Sequence, residues 1–281
     1  MRFASSIGKL HPMAMRDQTD HISGEPRLNW VRTGTEHAET VILIHAVGYD
    51  LTYWDRQIDA LQADYNVVAF DLPGHGRSPG EARDWSFDYA AATVAGLIEH
   101  ASDKSVHLVG ISFGGMIAQA TVLARPELVL TLTLIGTAST FPEPVRQGMR
   151  ARAQAVRTGG MEAVLQSSLE RWFTPETRAR RPDIIDRVSK TILADDPDVH
   201  AAIWDIVSHF EVHDRLAEIK SPPCLGWRTR PQHATINGFR SRREHLRGKD
   251  GCRSQRVSHC HGRSTRRREY RHTNIPGCSR Q

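Results

Sequence analysis

The first 221 residues contain no cysteine; all four cysteines, Cys224, Cys252, Cys260 and Cys278, fall in the last sixty residues. Disulfides are therefore not what holds the body of the chain together. A chain of 281 residues buries enough apolar surface to fold without them. No apolar run approaches the ~20 residues of a membrane-spanning helix. The stretch from Met1 to Asp20 mixes polar and charged residues and lacks the apolar region of a secretory signal. A cytoplasmic chain without membrane contact is the expectation.

Acidic residues are scarce in one place only. The whole chain carries 37 Lys+Arg and 32 Asp+Glu, whereas residues 222–281 hold 15 and 3, leaving 22 and 29 for residues 1–221. Only six residues of that final stretch are Ile, Leu, Val, Phe or Met. Two materials are joined here: a mildly acidic globular body and a basic tail. The tail's arginines form no helical stripe, and few aromatic residues interleave them, so nucleic-acid binding by phosphate tracking and base stacking is not indicated. Cys252, Cys260, His259 and His261 lack the paired C-x₂₋₄-C spacing of a zinc site. Solvated disorder is the state this composition favours.

The body alternates between two periodicities. Val41–Ile44, Val67–Phe70, Val106–Val109 and Leu130–Ile135 are short apolar runs that read as strands, the first two as buried ones. Helical spacing lies between them, over roughly 53–63, 87–100 and 114–124, the last stopping before Pro126. Such alternation implies right-handed crossovers and a mainly parallel sheet covered by helices on both faces, an α/β architecture. From Phe141 to about Phe210 the strand signal gives way to helical segments near 145–157, 161–172, 184–193 and 199–209. The expected division is a core over 1–140, a helical cap or lid over 141–212, a return to the core over 213–221, and the basic tail over 222–281.

Gly110-Ile111-Ser112-Phe113-Gly114 fits G-x-S-x-G, with an apolar strand before it and a helix after it. A sharp strand-to-helix turn crowds its backbone and needs small residues on both sides of the serine. The helix N-terminus that follows offers free N–H groups and positive partial charge to a developing oxyanion. His45-Ala46-Val47-Gly48 directly follows the first buried strand, where a second donor belongs, so Val47 and Phe113 are the expected oxyanion-hole amides. His45, and His75 in Pro73-Gly74-His75-Gly76-Arg77-Ser78, read as packed loop histidines rather than proton carriers.

Together these motifs resemble the α/β-hydrolase superfamily. Details such as Tyr53-Trp54-Asp55, Gly114-Gly115-Met116-Ile117 and Arg171-Trp172-Phe173-Thr174 are similar to 3-oxoadipate enol-lactonases and their relatives. The match covers about residues 28–221; Ala46 departs from the usual glycine. The resemblance implies that Ser112 attacks a small ester or lactone and that an acyl-enzyme is then hydrolysed, with no metal or organic cofactor. It also marks Arg171 and Trp172 as candidate substrate contacts, although a packing role for Trp172 and a surface role for Arg171 are the stronger expectation. C–C hydrolases and cofactor-free haloperoxidases share most of the pattern.

The same resemblance implies an acid and a histidine after Ser112 in the chain. Beyond Ile219-Lys220-Ser221-Pro222 an apolar strand running into an aspartate is expected, and Pro223-Cys224-Leu225-Gly226-Trp227-Arg228 does not read as one. A one-base shift of the reading frame restores the pattern. The codon of Trp227 must then read glycine, that of Cys224 valine or alanine, and that of Arg230 can read aspartate. The stretch Gln255–His259 can read N-A-S-H-I, its histidine 28 positions after that aspartate. An insertion near codons 222–224 is the expectation, and it would leave the literal chain without acid or base. The alternative is a hydrolase-like domain that serves as a non-catalytic binding module.

Overall fold

The computed structural model describes residues 16–20, 27–34, 38–220 and 223–225. Among them seven strands form one sheet: β1 (Arg16–Asp20), β2 (Leu28–Gly34), β3 (Thr40–Ile44), β4 (Asn66–Phe70), β5 (Val106–Ile111), β6 (Val129–Ile135) and β7 (Pro223–Leu225). Their spatial order is β1-β2-β4-β3-β5-β6-β7. β1 and β2 run antiparallel to their neighbours, and all pairings from β4 to β7 are parallel.

The predicted parallel core is present, and β3 and β4 carry the expected burial, whereas β6 buries only Val129 and Leu132. Every residue of β3 and β4 is buried, as a sheet with helices on both faces requires. Helices α1 (Asp55–Leu61), α2 (Phe87–Ala101) and α3 (Phe113–Ala124) are the crossovers. α2 starts where Ser86 Oγ accepts the Tyr89 amide at 3.0 Å, a side-chain N-cap. β1 and β2 fall outside the strand reading of the sequence. β2 (LNWVRTG) mixes polar and apolar residues without a clean run, and its pairing with β4 supplies what propensity does not.

One sequence expectation is overturned. Pro223-Cys224-Leu225 does form a strand, pairing Leu132, Thr133 and Leu134 of β6 in parallel. Pro223 sits at its first position, where the missing N–H is tolerated, and an existing neighbour strand outweighs weak local propensity. The tail beyond Leu225 lies outside the described residues, and so do its cysteines and the positions where the shifted frame is expected to supply an acid and a histidine.

Between β6 and β7 come α4 (Glu143–Gly159), α5 (Glu162–Trp172), α6 (Pro175–Arg180), α7 (Pro182–Ala194) and α8 (Pro197–Ser208). α6 is the segment the periodicity missed, six residues between prolines. α4, α5, α7 and α8 share an apolar cluster that includes Ala153, Val156, Val164, Leu169, Val188, Ile192 and Ala201, and α6 buries no residue. α8 also joins the main core through Val199, Ile203 and Val207. Its N-terminus is fixed by Asp196, whose Oδ1 accepts the amides of Asp198 at 2.8 Å and Val199 at 3.0 Å. No helix among the described residues is long and apolar enough to cross a membrane.

Candidate active site

β5 ends at Ile111 and α3 begins at Phe113, so a single residue, Ser112, makes the turn. It has φ 52° and ψ −115°, the one non-glycine residue with positive φ among the described residues. Such a conformation costs about 1–3 kcal/mol and persists where its surroundings enforce it. Here they do. The Ser112 amide donates to the Ile135 carbonyl at 2.8 Å, and its carbonyl accepts from Thr137 Oγ1 at 2.7 Å. The flanking glycines are compulsory. A Cβ on Gly110 would lie 2.3 Å from the Gly114 carbonyl oxygen, and one on Gly114 would lie 2.4 Å from the Ile44 oxygen. The crowding inferred from the motif is therefore literal: the elbow presses against the end of β3.

The loop after β3 is equally constrained. His45 is fully buried; its Nδ1 contacts the Ala46 carbonyl at 2.8 Å and its Nε2 accepts the Leu72 amide at 2.9 Å. An accepting Nε2 fixes the neutral tautomer with the proton on Nδ1, and burial pushes the imidazole pKa down to about 4. His45 thus ties the loop after β3 to the loop after β4. The packed-histidine expectation agrees with this geometry. Val47 and Phe113 are both buried, and neither amide donates a hydrogen bond among the described residues. Val47 follows β3 and Phe113 starts α3, and the two segments meet where Gly114 packs on the Ile44 and His45 carbonyls.

The loop 71–80 owes its sequence to Asp71. That carboxylate accepts Asn29 Nδ2 at 2.6 Å, the Leu51 amide at 2.7 Å and the Arg77 amide at 2.8 Å. Gly76, at φ 52°, passes so close that a Cβ would meet Asp71 Oδ2 at 2.3 Å. Ser78 Oγ closes the loop, donating to the Asp71 carbonyl at 2.7 Å and accepting the Asn29 amide at 2.8 Å.

The family follows from these motifs and from comparison. The model of the alpha/beta hydrolase fold matches residues 39–174. A pimeloyl-[acyl-carrier protein] methyl ester esterase of Methylococcus capsulatus is 30% identical over 199 residues, which cover 68% of this chain and 76% of that relative. This chain belongs to the α/β-hydrolase fold family. Within the family, 3-oxoadipate enol-lactonase 2 of Acinetobacter baylyi is 28% identical over 195 residues, covering 69% of this chain and 72% of the relative. The crystal structure of an enol-lactonase from Burkholderia xenovorans LB400 superposes with a TM-score of 0.65 at 24% identity, over 70% of this chain and 76% of that one. The esterase and lactonase relatives agree with the enzyme class that the sequence motifs imply.

The remaining candidates separate. Trp172, half-buried at the end of α5, stacks on Tyr49 with ring centroids 4.9 Å apart. Its Cη2 comes within 3.3 Å of where a Gly48 Cβ would stand, so α5 reaches the loop carrying Val47. Arg171 is exposed and faces no carboxylate among the described residues.

Sequence reasoning missed a buried polar cluster beside that loop. His200 Nδ1 donates to Asp195 Oδ2 at 3.1 Å, and its Nε2 accepts from Trp204 Nε1 at 3.0 Å. His200 Cε1 lies 3.5 Å from the Gly48 Cβ position. On the core side, His75 Nε2 stands 4.0 Å from the same Asp195 oxygen and has no hydrogen-bond partner. Burial pushes Asp195 up to about 6, His75 down to about 4 and His200 down to about 3. The signal was present as Asp-x₄-His-x₃-Trp at the start of α8, but nothing in that spacing said it faced a loop 150 residues earlier. Both His200 nitrogens are occupied, so it braces rather than transfers protons. Among the described residues no side chain hydrogen-bonds the Ser112 hydroxyl, and no cluster suited to a metal ion occurs.

Proposed function

We propose that this chain derives from a cytoplasmic serine hydrolase of small esters or lactones, with Ser112 as nucleophile and an acyl-enzyme as intermediate. The observation that carries the reading is the enforced positive φ of Ser112 at the start of α3, beside two unengaged amides. The strained turn presents the hydroxyl at the carboxyl edge of the sheet. Val47 and Phe113 donate to the tetrahedral oxyanion, an interaction whose loss elsewhere costs ~10²–10³ in kcat per donor. The helices 143–208 form the cap over this edge, and Trp172 and His200 are among their contacts with the oxyanion loop.

The acid and the base belong to the segment after β7. That strand runs parallel to β6 and ends on the sheet edge where Ser112 stands, which is where the shifted reading frame provides a glycine and an aspartate. Sequencing the source DNA across codons 215–281 tests the insertion: an extra base near codon 223 supports it, and a confirmed frame as written removes it.

A second reading rests on the unpartnered Ser112 hydroxyl. The literal chain then keeps the binding cleft without an activated nucleophile. Labelling by a fluorophosphonate probe separates the two, because labelling demands activation. The expected result for the literal chain is weak labelling and little hydrolysis of p-nitrophenyl acetate. For the frame-corrected chain it is strong labelling that Ser112→Ala abolishes. Strong labelling of the literal chain would show that a base exists outside the expected frame.

A further inference from the structure

The arginines of the cap divide sharply by their partners. Arg146, Arg157, Arg178 and Arg187 face Glu211, Asp205, Glu170 and Asp55. Arg152 and Arg171 face no carboxylate among the described residues, and Arg171 is close enough for its charge to oppose that of Arg152. Arg171 is exposed, and its charge is solvated. Arg152 is not so placed. It stands half-buried on α4 with Cζ 5.0 Å over the Trp204 ring. It donates from Nη1 to Ser167 Oγ at 3.3 Å and from Nη2 to Ser168 Oγ, while its Nε–H is buried with no acceptor. Burial and the Arg171 charge push the guanidinium pKa down to about 10.

A desolvated cation beside a second cation, with an idle donor, lacks its counter-charge. The planar guanidinium edge matches a carboxylate bidentately. Trp204, under the guanidinium, donates to His200 at 3.0 Å, and His200 packs on Gly48 beside the oxyanion loop. Three successive contacts therefore lead from the unpaired cation to the loop that carries Val47.

We propose that Arg152, assisted by Arg171, is an anion-recognition site of the cap that takes a carboxylate carried by the ligand. The step from ligand to substrate rests on the reading of Ser112 as nucleophile; the binding itself does not. The test is titration of the full chain with glutarate, followed by tryptophan fluorescence and calorimetry. Dimethyl glutarate serves as the uncharged control and inorganic phosphate as a competing oxyanion.

Saturable glutarate binding is expected, absent with the diester. It should weaken about tenfold or more in Arg152→Gln, where a charge-assisted bond is lost, and only about twofold in the exposed Arg171→Gln. Arg152→Lys, which keeps the charge and the packing stem, should fall between and guards against a folding defect in the glutamine variant. Equal binding by Arg152→Gln, or equal binding of the diester, overturns the site. Tighter binding of phosphate overturns its assignment to a carboxylate. If Arg152-dependent binding is found while Ser112 resists fluorophosphonate in the frame-corrected chain, the anion site stands and the nucleophile reading falls. The reverse pair of results does the opposite.

Discussion

The two sides of the sheet are built to different standards. On one side, β3 and β4 are buried along their whole length, and the loops leaving them are cross-tied through His45, Asp71 and Ser78. On the other side, β6 buries only Val129 and Leu132; its remaining five residues are half-exposed, and its outer neighbour β7 spans three residues. The candidate site straddles this divide. The proposed oxyanion donors, Val47 and Phe113, and the elbow lie on the finished side, and the acid and base are expected beyond the unfinished one. A hydrolase site is assembled from separate strand ends, so half of one can be geometrically complete while the other half is missing.

The sharpest way to break the comparison is at its centre. Gly114→Val would drive a side chain into the Ile44 and His45 carbonyls, and it should cost more than about 4 kcal/mol or abolish soluble protein. A urea midpoint close to that of the parent would show that the elbow does not press on β3 in solution. Next in size is a matched pair of truncations. Leu108→Ala, fully buried in β5, should cost about 2–5 kcal/mol, whereas Leu130→Ala on half-covered β6 should cost about 1 kcal/mol. Equal losses would mean that β6 is covered as well as β5 is, and the asymmetry would vanish.

The smallest effect is a pH dependence. His45, His75 and His200 have folded pKa values lowered to about 4, 4 and 3. The unfolded chain therefore binds more protons, and the stability these three contribute is present above pH ~6.5 and lost as pH falls toward 4. Asp195, raised to about 6, works the other way: its contribution is present at low pH and lost as pH rises through 6. Three groups against one give a net loss on acidification. The thermal midpoint should fall between pH 7 and 5, and less steeply in His200→Asn. A flat profile would mean that the buried polar cluster is open to water.

The sequence exposed the finished side well and the rest poorly, for physical reasons. Val41–Ile44 and Val67–Phe70 declare themselves because a strand buried on both faces must be apolar throughout. Gly110, Gly114 and Gly76 mark places where no side chain fits, and that requirement survives in one sequence without any structure. β2 and β7 are short or mixed in character and exist because a neighbour offers a ladder, a cause that periodicity does not report. The Asp195–His200–Trp204 brace and the unpaired Arg152 depend on which faces of α4, α5 and α8 meet. Helical spacing fixes each face but not its partner.

Asp71 has one more consequence. Surface loops ordinarily exchange their amide hydrogens quickly, because they open locally at little cost. The amides of Leu51 and Arg77 lie in two different loops, yet both end on the same buried carboxylate. Neither can open without stranding that group, so these two amides should exchange as slowly as those of the central strands. The rim of the cleft would then open only when the sheet itself comes apart.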